Sequence, residues 1–184
     1  MNEETSQATD NESTGRTRGG IAMNQDTINF RLPEARDGKQ IWQLVKNTGV
    51  LDLNSVYCYL LLCDHFRNTC GVAEMNGEIV GFVTAYLLPT DKTTLFVWQV
   101  GTDAAVRGHG IARKLIMELL ERDYCKNVTK IQCTISPSNK ASLALFNSLA
   151  KHLQADFSRQ DYYGKSLFPE GGHEQEDLIV VGPF

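Results

Sequence analysis

A glycine-rich turn sets the tightest constraint on how this chain can fold. The turn runs from Val106 to Ala112 and holds Gly108 and Gly110 between an apolar stretch and a helical pattern. Glycine adopts backbone conformations that other residues avoid, and it lets a ligand approach the main chain closely. The following helix offers free N–H groups and the positive end of its dipole, and Arg107 adds a full charge. The turn therefore predicts a pyrophosphate-binding site between a strand and a helix.

Two other nucleotide-binding turns do not fit this spacing. The segment lacks the Gly-Lys-Ser/Thr sequence of a P-loop. Arg113 stands where the dinucleotide-binding fingerprint of a Rossmann fold has its third glycine. The pattern therefore indicates a phosphate-binding turn of another kind.

The periodicity of apolar residues predicts an α+β fold with a mixed, mostly antiparallel central sheet flanked by helices. Asn76-Gly77 predicts a tight hairpin, Gly49 a helix end, and Asn54 or Ser55 a helix cap. The segment from residue 156 has no clear pattern and is interpreted as loose. Strands are predicted at 27–32, 69–75, 78–88, 95–100, 130–135 and 177–181, and helices at 41–49, 55–66, 110–123 and 139–152.

Length and charge limit the classes of function. The 184 residues suffice for one domain, and 22 acidic against 18 basic side chains give a net charge of −4, which argues against nucleic-acid binding. Residues 1–27 are polar and acidic and predict a disordered leader, so the domain spans 28–184. The leader has no apolar run typical of a secretory signal, and no stretch is long enough to span a membrane.

The cysteines favour a reducing compartment. Their number is odd and no Cys-x-x-Cys pair occurs, so neither a disulfide framework nor a zinc site is supported. The four histidines show no metal-ligand spacing either. We therefore expect scattered thiols, no metal and a cytoplasmic protein. The cysteines are Cys58, Cys63, Cys70, Cys125 and Cys133.

The Arg-Gly-x-Gly-x-Ala sequence at 107–112 resembles the acetyl-CoA loop of the GNAT acetyltransferase superfamily. The resemblance implies the GNAT acyl-CoA N-acyltransferase fold, in which a splayed strand pair binds the pantetheine arm of CoA. Asn139 matches the superfamily's CoA-contacting asparagine, although simple helix capping would also explain it. An N–H such as that of Val100 would polarise the thioester carbonyl. The implied cofactor-binding residues are Gln99, Val100, Arg107, Gly108, His109, Gly110, Ile111, Ala112 and Asn139.

Phe146 departs from the superfamily pattern. It stands near the position where many members place a tyrosine that protonates the leaving thiolate, and phenylalanine has no proton to donate. The acid must therefore be another residue or water, or the thiolate leaves unassisted.

Longer stretches resemble one family, the L-2,4-diaminobutyric acid acetyltransferases of ectoine biosynthesis. The resemblance covers residues 28–184 and implies acetyl transfer from acetyl-CoA to the γ-amine of L-2,4-diaminobutyrate. It also implies that the protein is a homodimer in a bacterial cytoplasm and that it serves the cell under osmotic stress. The stretches that carry it are residues 41–45, 51–66, 95–101 and 167–174.

A substrate with two ammonium groups and a carboxylate needs acidic side chains and hydrogen-bond donors. We expect Tyr57, Asp52 and Glu174 to act in catalysis, with Asp52 holding an ammonium group and Tyr57 or Glu174 moving a proton. The structural alternatives are a turn role for Asp52, a packed core position for Tyr57 and an exposed loop position for Glu174. The expected substrate-binding residues are Asp52, Asn54, Ser55, Tyr57, Asp64, Trp98, His173 and Glu174.

Two other functions remain open at this point. One is a GNAT N-acetyltransferase that acts on a different small amine or on a peptide N-terminus. The other is a non-catalytic acyl-CoA-binding module, which would keep the glycine turn and need no acidic pocket.

Overall fold

The computed structural model describes residues 27–169 and 172–184, so the predicted leader lies outside the described residues apart from Thr27. Short 3-10 turns at Ala35–Asp37, Arg67–Thr69, Ala104–Val106, Asp123–Cys125 and Lys165–Leu167 join the longer elements. Those elements are β1 (Asn29–Arg31), α1 (Gly38–Thr48), α2 (Val56–Asp64), β2 (Gly71–Met75), β3 (Glu78–Leu88), β4 (Asp91–Thr102), α3 (Ile111–Leu120), β5 (Lys130–Ile135), α4 (Lys140–Leu153), β6 (Phe157–Tyr163) and β7 (Glu176–Val181).

One mixed sheet of seven strands organises the described part of the chain. Its strand order is β1-β2-β3-β4-β5-β7-β6. Neighbouring strands run antiparallel except β4 and β5, which are parallel. The predicted α+β architecture with a mostly antiparallel sheet is confirmed.

Helices cover both faces of the sheet. Val72 and Phe82 pack with α1 and α2, whereas their chain neighbours Ala73 and Val83 belong to the cluster that includes α3 and α4. Because successive side chains of a strand point to opposite faces, the two clusters lie on opposite sides of the sheet. The two layers fix the ends of β4 and β5 relative to the helices.

The parallel pair β4 and β5 splays apart after three residue pairs. Their ladder ends where Phe96 meets Gln132, and beyond it β4 stays paired with β3 while β5 stays paired with β7. Trp98 is the extra residue of a β-bulge, because Val97 opposes Ala85 and Gln99 opposes Thr84. The predicted splay is confirmed, and it leaves an opening in the middle of the sheet.

Local turn predictions agree with the backbone. Asn76 and Gly77 both have positive φ, 55° and 84°, as a type I′ hairpin requires. Gly49 ends α1 at φ 65°, and the Ser55 side chain caps α2 by accepting a hydrogen bond from the Cys58 N–H. The five cysteines are free thiols, and four of them are buried.

Two expectations were wrong. The loose segment after residue 156 contains β6, an edge strand whose residues are all exposed; it shows no apolar alternation because neither of its faces is buried. Tyr57 was expected to face the substrate or, as the alternative, to pack in the core, yet it is 66% exposed, and Tyr59, Leu62 and Cys63 are the buried residues of α2. This helix is apolar on almost every side, so its sequence does not reveal which face is buried.

Candidate active site

Two cavities adjoin the splayed strands. The strand cavity, about 340 Å³, lies between Val97–Val100 of β4 and the end of β5. The turn cavity, about 830 Å³, extends from β4 to Arg107 and Gly108 and to the start of α4. The residues that line both cavities are Val50, Leu51, Val100, Ser136, Asn139 and Ser142.

The glycine turn forms one side of the turn cavity. Gly108 and Gly110 have φ 82° and 74°, the left-handed region that favours glycine. Gly110 precedes α3 and supplies no side-chain cap, so the first N–H groups of this helix remain available to an anion. A further opening of about 400 Å³ runs past Gly110, Ile111, Ala112 and Arg113. The geometry suits an elongated ligand with phosphate groups at one end.

Asn139 lies where the two cavities meet. Its side-chain oxygen accepts a hydrogen bond from the Ser142 N–H at 3.1 Å, which caps α4. The capping alternative is therefore realised, and a ligand contact remains compatible with it because the side-chain N–H₂ group takes no part in this bond. Two further predicted cofactor-binding residues, Gln99 and Val100 of β4, border the strand cavity.

A buried hydrogen-bond chain fixes the loop that carries Asp52. The Tyr59 hydroxyl donates to Gln99 Oε1 at 3.0 Å, and Gln99 Nε2 donates to the Asp52 carbonyl oxygen at 2.8 Å. Thr84 anchors Gln99 further through its hydroxyl, which accepts from the Gln99 N–H at 3.1 Å. Burial raises the pKa of Tyr59, so its phenol stays protonated and donates. The chain holds Asp52 at the rim of the strand cavity.

His173 joins the loop after β6 to the loop that carries Asp52. Its Nε2 lies 3.2 Å from Asp52 Oδ2 and 3.8 Å from Glu176 Oε1, and its ring stacks on Phe168. The Nδ1–H donates to the Glu174 carbonyl oxygen at 2.7 Å. This bond, aided by the Asp52 carboxylate, raises the pKa of His173 above its usual range. Two carboxylates thus converge on the His173 ring beside the strand cavity.

Glu176, at the start of β7, is a cavity residue that the sequence reasoning missed. It lines the strand cavity, its side chain is only 14% exposed, and its Oε1 accepts a hydrogen bond from the Ser136 hydroxyl at 2.6 Å. The only signal in the sequence was its place beside the predicted strand at 177–181. Tyr163 and Ser142 line the cavity as well and were also missed.

Comparison with known proteins identifies the family. The family model described as "Acetyltransferase (GNAT) family" matches residues 39–150. An L-2,4-diaminobutyric acid acetyltransferase of Marinococcus halophilus is 47% identical over 86% of this chain and 92% of its own length. One of Bordetella parapertussis is 41% identical, over 94% of this chain and 96% of its own. The chain belongs to the L-2,4-diaminobutyric acid acetyltransferase family.

A solved structure of the same family supports this placement. The diaminobutyrate acetyltransferase EctA from Paenibacillus lautus, in complex with L-2,4-diaminobutyric acid and coenzyme A, is 45% identical. It superposes with a TM-score of 0.83 and covers 86% of this chain and 96% of its own. The predicted GNAT fold is thus confirmed.

The structure brings together only part of the acceptor site expected from the family resemblance. Asp52, Asn54, Trp98 and His173 line the strand cavity. The other expected residues do not line it. Ser55 is occupied as the cap of α2.

Tyr57 and Asp64 lie on the exposed side of α2. The Asp64 side chain is 68% exposed, and its nearest basic partner is His65 at 3.8 Å. Because Tyr57 is also turned outward, both roles predicted on this helix lack the geometry that the prediction assumed. They remain predictions that the cavity does not support.

Glu174 and His109 bind the main chain rather than face a cavity. Glu174 Oε2 accepts a hydrogen bond from the Ser138 N–H at 3.2 Å, which ties the loop before β7 to the start of α4. His109 Nδ1 lies 3.0 Å from the Arg107 carbonyl oxygen, so its ring folds over the glycine turn. Both side chains support elements that border the cavities.

Neither a metal cluster nor a membrane span is found in the described residues. Within 27–169 and 172–184, no three His, Cys, Asp or Glu side chains are grouped so that they could hold a metal ion. No helix in the same ranges has the length and apolar character needed to cross a bilayer.

Proposed function

We propose that this chain transfers acetyl from acetyl-CoA to the γ-amino group of L-2,4-diaminobutyrate, a step of ectoine biosynthesis. The product is Nγ-acetyl-2,4-diaminobutyrate. The observation that carries the proposal is that two cavities meet at Val100, Ser136 and Asn139. One cavity leads to a phosphate-type turn, and the other contains the carboxylates of Asp52 and Glu176. The place where the two cavities meet, which we call the joint, suits the reaction of a thioester with an amine.

Acetyl-CoA fits the turn cavity by charge and by shape. The N-terminal N–H groups of α3 and the Arg107 guanidinium match the pyrophosphate, and the two glycines allow its close approach. The open edge of β4 gives the pantetheine arm main-chain partners between Val97 and Val100. The N–H of Val100 is our candidate for polarising the thioester carbonyl.

The diamine fits the strand cavity. Asp52 and Glu176 supply negative charge for ammonium groups, and the Asn54 side chain supplies a donor for the carboxylate. Trp98, displaced by the β-bulge, adds an apolar wall for the short methylene chain. The carboxylate and α-amine are recognised as one unit, which leaves the γ-amine at the end of the chain to react.

The nucleophile must be the neutral amine. With a lysine-like pKa near 10.4, holding the amine neutral at about pH 7.5 costs roughly 4 kcal/mol. The ammonium proton is lost to solvent before the attack, and a carboxylate within the cavity then takes the second proton, which leaves nitrogen as the N–C bond forms. We assign this role to Glu176, since it faces the strand cavity and Glu174 binds the Ser138 N–H instead.

Substrate preference tests the function directly. CoA release from acetyl-CoA is measured with L-2,4-diaminobutyrate, ornithine, lysine and putrescine at equal concentrations. We expect kcat/KM to be highest with L-2,4-diaminobutyrate and lowest with putrescine, which lacks a carboxylate. Equal values for putrescine and L-2,4-diaminobutyrate would remove the assignment. Tight acetyl-CoA binding without CoA release would favour a non-catalytic module.

A homodimer, a cytoplasmic location and a role in osmotic stress are also part of the proposal. They rest on the family resemblance. Val56, Tyr57 and Phe66 support the dimer, because they expose apolar surface on and beside α2. Light scattering at two protein concentrations tests it, with the mass of two chains as the expected result and the mass of one chain as the contradicting result.

A further inference from the structure

We propose that Ser136 protonates the CoA thiolate as it leaves, handing on the proton that Glu176 takes from the attacking amine. This inference rests on the proposed acetyl transfer and deepens it by naming the acid. Ser136 is not among the site residues that the family resemblance implied.

The position of Ser136 carries the argument. It follows β5 directly and lines both the strand cavity and the turn cavity. Its hydroxyl donates to Glu176 Oε1 at 2.6 Å, a short bond typical of a charged acceptor. A hydroxyl at the joint of the cavities is therefore already connected to the carboxylate that faces the amine.

The position at which many GNAT members place a tyrosine supplies no proton donor in this chain. Phe146, buried in α4, lines the strand cavity and has no acidic hydrogen. Cys133 and Tyr163 also line this cavity, but not the turn cavity. Neither side chain therefore borders the place where the two cavities meet.

The proton balance closes with the groups present. The neutral γ-amine forms the new N–C bond to the acetyl carbon, and its excess proton passes to the Glu176 carboxylate. The C–S bond breaks with its electron pair on sulfur. The carboxylic acid then donates to Ser136 Oγ while the Ser136 hydroxyl proton passes to sulfur. The products are the amide and the CoA thiol, and Glu176 is again a carboxylate that accepts from Ser136.

The energetics favour the same direction. A carboxylic acid is a much stronger acid than a thiol, so proton transfer from Glu176 through Ser136 to sulfur runs downhill. A serine hydroxyl that gains one proton as it loses another never has to become an alkoxide. This relay therefore needs only the existing hydrogen bond to reverse its direction.

The test compares two acetyl donors in Ser136→Ala. The first is acetyl-CoA, and the second is its selenoester analogue, whose selenol is more acidic than a thiol and leaves without a proton. Single-turnover rates with L-2,4-diaminobutyrate are measured for wild type and variant. With acetyl-CoA we expect the variant rate to fall about 100-fold, within the usual contribution of general acid catalysis, while both KM values stay within about threefold. With the selenoester we expect the wild-type rate to exceed the Ser136→Ala rate by less than about tenfold.

Comparison variants separate the relay from a structural role. Ser158→Ala, an exposed serine of β6 outside both cavities, controls for the loss of a serine. Ser142→Ala removes the other hydroxyl at the joint, and its rate ratio is expected to be the same with both donors. If Ser136 only orients Glu176, the Ser136→Ala ratio will also be the same with both donors, and the proposal is wrong.

Two further outcomes would decide against it. A selenoester-sensitive defect in Ser142→Ala would move the role to Ser142, and wild-type rates in Ser136→Ala would remove it altogether. Failure of the wild type to acetylate L-2,4-diaminobutyrate would instead overturn the proposed function, so the two failures are distinguishable.

Discussion

The turn cavity and the strand cavity are built in different ways. One side of the turn cavity is a contiguous stretch, residues 106–112, whose glycines and arginine act through main-chain geometry and charge. The strand cavity is assembled from five segments of the chain, around residues 50–54, 97–100, 133–136 and 139–146 and at Tyr163, Phe168, His173 and Glu176. A local turn specifies itself, whereas an assembled cavity depends on how distant segments pack. Substitutions should therefore separate the two cavities cleanly.

The largest expected effect concerns the base in the strand cavity. Glu176→Gln keeps the size of the side chain and removes its ability to take a proton, so we expect kcat to fall about 100-fold or more with little change in the acetyl-CoA KM. Steady-state kinetics with both substrates measures this.

Glu174→Gln is the matched control for this substitution. Its amide can still accept from the Ser138 N–H, so a much smaller loss is expected. A larger loss of kcat in Glu174→Gln than in Glu176→Gln would restore the sequence-based assignment of the base to Glu174.

A substitution in the glycine turn should affect only the cofactor. Gly110→Asp places a side chain and a negative charge where N–H groups face the pyrophosphate, so we expect the acetyl-CoA KM to rise about tenfold or more. The KM for L-2,4-diaminobutyrate should stay within about twofold.

Gly77→Asp controls for backbone strain, because Gly77 also has positive φ, at 84°, and lies in a hairpin outside both cavities. An unchanged acetyl-CoA KM in Gly110→Asp, or an equal rise in both variants, would contradict the placement of the cofactor.

Asp52→Asn should affect only the acceptor. Loss of the charge weakens the hold on an ammonium group, and because the Asp52 side chain is 78% exposed, solvent screening keeps the expected rise in the diaminobutyrate KM to about tenfold. Asp64→Asn, at the exposed end of α2, is expected to change it by less than twofold. A larger rise in the diaminobutyrate KM for Asp64→Asn than for Asp52→Asn would place the acceptor site on α2.

Two tyrosines of α2 provide a smaller test. Tyr59→Phe leaves Gln99 without its buried donor, so we expect the free energy of unfolding to fall by about 1–3 kcal/mol and the diaminobutyrate KM to rise a few-fold as Asp52 loosens. Denaturant unfolding and kinetics measure the two effects.

Tyr57→Phe is predicted to change neither quantity appreciably, because this side chain lies outside both cavities. A selective fall in kcat for Tyr57→Phe would revive it as the proton carrier.

The smallest expected effect is the pH dependence of His173. Its folded-state pKa is raised, so its contacts stabilise the fold at pH values below the usual histidine pKa and lose this contribution as the pH rises through the raised value. The difference in unfolding free energy between wild type and His173→Gln should stay below about 1 kcal/mol and shrink as the pH rises through the raised pKa of His173. A difference that grows with pH would contradict the ion pair with Asp52.

The same contrast explains what the sequence could predict. Gly49, the Asn76-Gly77 hairpin and the glycine turn rest on local backbone chemistry, and the backbone geometry predicted for each is present. The outward position of Tyr57 was not predicted, because α2 is apolar on almost every side and its sequence does not show which face is buried. Glu176 was missed because it is the first residue of β7, and only the packing of β7 beside β5 brings it to the cavity. β6 was missed because an edge strand exposed on both faces has no apolar alternation.

A crystal structure of the ternary complex with L-2,4-diaminobutyrate and CoA tests the central claim most directly. We predict that the γ-nitrogen lies within hydrogen-bonding distance of Glu176, that the other ammonium group contacts Asp52, and that the CoA sulfur lies beside Ser136 where the two cavities meet. A diamine bound on the outer face of α2, beside Tyr57 and Asp64, would contradict the account.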